Sequence, residues 1–165
     1  MGTAMGQLLK FRGARVGRGD ENDAWMFNGL AGLAVVIEDL DPIAVEAGLD
    51  RTNIQLHVER RLSEAGIPVA PFLRAAEGEA VAVLYVAIGT ERDRMGPIAF
   101  FLSLQVCEEA ALVRDPDQGG GVTTWLTNGV WASLMGDLQR DITAAIDEGL
   151  THFATEFAAS RSRLI

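Results

Sequence analysis

Between residues 137 and 160 the chain places apolar side chains where only a helix can use them. Leu138, Ile142, Ile146, Leu150, Phe153 and Phe157 follow one another at steps of four, four, four, three and four, which stacks them in one stripe along a helix. Asp137 is a suitable N-cap, and Arg161 and Arg163 suit the negative C-terminal end of the helix dipole. At about 1.5 Å per residue the helix is roughly 35 Å long. A single stripe of that length has to be buried against a broad apolar surface, and the rest of the chain must supply it.

A second stripe precedes it. Ile54, Val58, Leu62 and Ala65 recur at helical spacing, with Asp50 or Thr52 available as the cap and Gly66 where a left-handed terminal residue belongs. This predicts a helix over about 50–65, which Pro68 turns out into the extended IPVAPFL. The surface for both stripes comes from runs that read as strands: LAGLAVVIEDL (30–40), ending in the acidic turn of Glu38, Asp39 and Asp41, then EAVAVLYVAIG (79–89) and IAFFLSLQVCEEAALV (98–113). ERDRMGP reads as a hairpin loop between the last two, and RDPDQGGG (114–121) as a second, with Pro116 and Asp117 in the turn and the glycines at positive φ. The final strand is VTTWLTNGVW, interrupted at Asn128 and Gly129 by a bulge or a small hairpin tip. The fold class expected is α+β: a two-layer sandwich of a mainly antiparallel sheet, four to five strands, with helices 50–65 and 137–160 on one face.

Residues 1–29 have a different character. Arg12, Arg15 and Arg18 alternate with Gly13, Gly17 and Gly19 before Asp20, Glu21 and Asp23, a pattern that prevents a stable helix and reads as a mobile basic arm. Trp25, Met26 and Phe27 are placed to anchor it to a single domain over 30–165.

Charge and chemistry narrow the functional classes. A net charge of −9 disfavours nucleic acid and anionic membrane surfaces as partners, and no run approaches the roughly 18 to 20 apolar residues of a membrane span. The single Cys107 excludes an internal disulfide and is expected to be a buried thiol. No signal peptide is visible, so the placement is periplasmic or envelope if a leader has been removed and cytoplasmic otherwise.

Gly119, Gly120 and Gly121 lie between strands, whereas a phosphate loop opens onto a helix with a following Lys and Ser or Thr. His57 and His152 fall in no zinc spacing. There is no GxSxG elbow, and the acids of the 38–41 turn and the pair Glu108 and Glu109 read as solvated rather than catalytic. No cofactor, metal or catalytic residue is expected. The candidate interaction residues are Trp125 and Trp131, which anchor an interface if exposed and are core if buried, together with Arg12, Arg15 and Arg18.

The stretches AVVIEDL, VERRLSEAGI and TTW, with the terminal HFATEFAASR, resemble a group of small uncharacterised bacterial proteins, often exported. There a VVVEDL strand precedes a VExxLxxAGI helix, and a TTW strand precedes the last helix. The layout is also similar to the N-terminal α/β domain of the translocation protein TolB and related envelope lipoproteins. The resemblance spans residues 30–160 and implies a sheet with helices on one face that meets protein partners; it carries no functional residue.

Three functions fit this reading. The first is a non-enzymatic interaction or assembly domain, of the cell envelope, that uses a sheet face or edge strand to meet a protein partner or a second copy. The second is a ring-forming phage or particle component resembling a tail terminator. The third is a small-molecule binder with a pocket between sheet and helices lined by Phe100, Trp125 and Phe153.

Overall fold

In the computed structural model, which describes residues 11–12, 27, 29–73, 81–92, 94 and 96–162, the apolar stripes lie on one side of a twisted sheet. The elements are β1 (Phe11–Arg12), β2 (Gly32–Ile37), α1 (Pro42–Glu46), α2 (Arg51–Glu64), β3 (Val81–Arg92), β4 (Ile98–Leu112), β5 (Asp115–Ser133) and α3 (Leu138–Ser162). The strand order is β1-β5-β4-β3-β2. Four strands carry the sheet, and β1 adds two residues at its edge. The expected α+β sandwich, mainly antiparallel with its helices on one face, is the architecture observed.

The stripe on α3 is buried from end to end. Leu138, Ile142 and Phe153 are at 0% exposure, and they join α2's Ile54, Val58 and Leu62 and the inward residues of β2, β3, β4 and β5 in one apolar cluster. Each such side chain stabilises the fold by about 1.5–3 kcal/mol through water exclusion. At Gly149 the helix comes so close to the sheet that a Cβ would overlap the Leu104 side chain. A helix glycine costs about 1 kcal/mol in propensity, and here close packing accounts for it.

Both turns of the β2–β3 crossover are built from local chemistry. Asp50 accepts from the Asn53 N–H at 2.9 Å to start α2. Gly66, at φ +75°, ends it as the Ile67 N–H donates to the Leu62 carbonyl and the Gly66 N–H to that of Ser63, the Schellman arrangement. Because two helices lie between them, β2 and β3 run parallel, whereas the short connections of β3, β4 and β5 give antiparallel pairs. The extended segment after Pro68 is a single bridge, Val69 to Leu33, rather than a strand.

Three expectations are corrected. The 38–41 turn starts a helix: Asp41 accepts from the N–H groups of Ile43 and Ala44, both at 3.0 Å, and so caps α1. The segment 114–121 is not the hairpin turn. The chain reverses at Val113 and Arg114, and Asp115 already pairs with Leu112. None of Gly119, Gly120 and Gly121 has positive φ, so they extend β5 instead of turning it. Pro116, which has no N–H for a ladder, sits in the irregular stretch between Asp115 and Gly119. Finally, Asn128 and Gly129 do not interrupt β5, since they pair regularly with Ser103 and Leu102. The register shifts lie elsewhere: at Val106 and Cys107, where Thr124 is the extra residue on β5, and at Ala111 and Leu112, where residues 116–118 are extra.

Candidate functional site

The shift at Cys107 divides the β4–β5 hairpin into two parts with different physics. Up to Cys107, β4 is flanked on its other side by β3, whose pairing ends at Val83 with Cys107. Beyond it, Glu108 with Val122, Glu109 with Gly121, Ala110 with Gly120 and Ala111 with Gly119 continue as a ribbon with no third strand paired to it among the described residues. At about 3.3 Å per residue it extends roughly 15–20 Å beyond the last pair of β3 with β4. Apart from the half-buried Glu108 and Asp115, every residue from 108 to 122 is exposed. Val113 at the tip is fully so, at 101%. Along β5, β1 covers only Gly129 and Val130, so the outer edge of residues 115–128 has no paired strand among the described residues.

At the ribbon's root the structure is firm. Trp125 is 5% exposed, packs edge-on against Phe153 at 4.9 Å between centroids and donates its indole N–H to Glu156 Oε2 at 2.5 Å. The other Glu156 oxygen lies 3.1 Å from His152 Nε2. Across the bulge, the Thr124 hydroxyl donates to Glu108 Oε1 at 2.8 Å. The ribbon therefore springs from a fixed base, while among the described residues nothing comparable holds its outer half.

The sequence-predicted residues are placed as follows. Trp125 and Trp131 are both core: Trp131 is 8% exposed, stacks on Phe100 at 5.2 Å and lies over Gly129, where a Cβ would enter its ring. Neither indole forms a surface platform, because their strand face is the one α3 covers. Arg12 lies in β1, its backbone opposite Gly129; Arg15 and Arg18, like the arm between them, lie outside the described residues. Phe27 is buried, with centroids 5.3 and 5.6 Å from those of Phe153 and Phe157. Phe100 and Phe153, expected with Trp125 to line a pocket, belong to the same packed cluster. Cys107 is half-buried beside Thr123 rather than fully enclosed.

The two histidines serve separate contacts. His57 Nε2 is 2.9 Å from Asp147 Oδ1, which also accepts from Arg61 Nε at 3.1 Å and so ties α2 to α3. His152 faces Trp125 and Glu156 on the other side of α3. Among the described residues no three of His, Cys, Asp and Glu gather as a metal-binding group, and no helix is long and apolar enough to cross a membrane.

Asp41 is the most tightly held carboxylate. Besides its cap bonds it accepts from the Thr90 N–H at 2.6 Å and the Thr90 hydroxyl at 2.5 Å. Burial pushes its pKa up, but the Thr90 hydroxyl and the N–H groups of Ala44, Thr90 and Ile43 together outweigh that and hold it below the ordinary value of 3.8. With both oxygens engaged in this way, the Asp41 carboxylate locks α1 to β3. Of the ribbon's acids, Glu109 reads in the sequence only as a solvated strand residue and Asp117 only as part of a turn, and Asp115 is not singled out, because a Gly-rich, Pro-containing acidic run after the strand reads as a loop.

No family model, curated protein or solved structure matches this chain.

Proposed function

We propose that the protein is a non-enzymatic docking and assembly domain that meets another polypeptide through the projecting β4–β5 ribbon. The observation that carries this reading is the contrast within one hairpin. Its root is fixed by the core, and its outer half, residues 108–122, is two strands whose edge has no paired strand among the described residues. An isolated two-stranded hairpin is marginally stable in water. An exposed edge is also a template for another strand, and chains ordinarily shorten, cover or bulge such edges away. Here the edge at residues 119–122 lies between two register shifts and still projects from a rigid base, which suits docking. The resemblance to envelope domains that meet protein partners points the same way.

Light scattering on a sizing column tests it, comparing the full chain with a variant in which residues 110–120 are replaced by Asn-Gly, which closes Glu109 onto Gly121 with a two-residue turn. Self-assembly through the ribbon gives a closed oligomer for the full chain and a monomer for the variant, which would favour the ring-forming particle component. A monomer in both cases directs the reading to a heterologous partner. An oligomer of unchanged mass in the shortened variant contradicts docking through the ribbon.

A further inference from the structure

Resting on that docking reading, we infer that the ribbon takes a basic extended strand of a partner protein as its third strand, along the outer edge of β5 at the regularly paired residues 119–122 and beside the acidic stretch 115–117. Three observations converge there. The edge has no strand partner among the described residues. Its surroundings are acidic: Glu109 and Asp117 are exposed and Asp115 half-exposed, Glu108 stands at the root, and Arg114 is the only opposing charge in the ribbon. None of Glu109, Asp115 and Asp117 makes an ion pair among the described residues. A strand carrying Lys or Arg at alternate positions would place its cations along these carboxylates while its backbone completes the ladder.

The glycines supply the third observation. At Gly120 and Gly121 a Cβ would meet nothing within 4 Å, and neither has positive φ. Neither packing within the chain nor a turn accounts for them, although each weakens the strand by about 0.5–1 kcal/mol relative to alanine. Glycine in a strand marks places where another backbone comes close. Like charge excludes the same ribbon of a second copy as the occupant, since two such acidic edges repel.

The test titrates the full chain with two eight-residue peptides, alternating Lys-Thr and alternating Glu-Thr, by calorimetry and hydrogen exchange. Expected is binding of the Lys-Thr peptide at least about tenfold tighter than the Glu-Thr peptide, weakening with salt and slowing exchange at residues 119–122. The preference should reverse in E109K/D115K/D117K and vanish in the shortened variant. Equal binding of the two peptides, binding of neither, or protection by the Lys-Thr peptide away from β5 overturns the inference. If light scattering shows a ribbon-dependent oligomer whose mass is unchanged in E109K/D115K/D117K, the basic-strand proposal fails while docking through the ribbon stands.

Discussion

Glycine carries two different meanings in this chain, and each makes a distinct prediction. Gly149 admits the Leu104 side chain against α3, and Gly129 admits the Trp131 ring; a methyl group at either site forces the helix or the indole outward. Gly149→Ala and Gly129→Ala should each cost about 1–3 kcal/mol, the usual penalty of overpacking, read as a lower midpoint in chemical denaturation. Gly120→Ala and Gly121→Ala face open space and should leave global stability unchanged or raise it by up to about 1 kcal/mol. Trp125→Phe removes the indole donor from Glu156 and should cost about 1–3 kcal/mol. None of this was legible from residue type. The run Gly119 to Gly121 invited a turn reading because the sequence shows that glycine is present and not which φ it adopts. Likewise, the burial of Trp131 depends on its neighbour Gly129 two positions earlier.

At the scale of elements, periodicity decided what could be read. The stripes of α2 and α3 and the alternation of β4 were legible because one buried face imposes a spacing along the chain, and the observed ends fall within two residues of the expected 50–65 and 137–160. Five-residue α1 has too few residues to show a period, and its signal was the cap Asp41 followed by Pro42, which also fits a turn. The direction of β2 was hidden because pairing is a relation between distant segments. Asp41 makes the element-scale prediction. Its folded pKa is lowered, so it contributes stability that is present above the unfolded value of about 3.9 and lost as pH falls through the lower folded value. Asp41→Asn should cost stability at neutral pH, and the difference between variant and parent should shrink in urea melts as pH drops below about 4. A difference that grows on acidification would contradict the assignment.

Taken as one molecule, the protein concentrates its order at the α3 side of the sheet and extends one strand pair beyond it. The fold is what binary patterning dictates: two stripes need one sheet, and one main cluster of buried residues results, beside a small second one of Ala34, Ala70 and Val81. The β4 side of the ribbon reads as strand through residue 113, but its β5 side escaped prediction because apolar alternation stops near Cys107 and resumes only near Trp125. A segment with no core to face leaves no periodic signature. Hydrogen exchange mapped along β5 in the isolated chain tests the central claim most directly. Expected is exchange at residues 115–121 at least about a hundredfold faster than at residues 125–133, since only the latter are backed by the core. Equal protection along the whole strand would mean that the ribbon's edge is already covered within the chain, and docking through it would be contradicted.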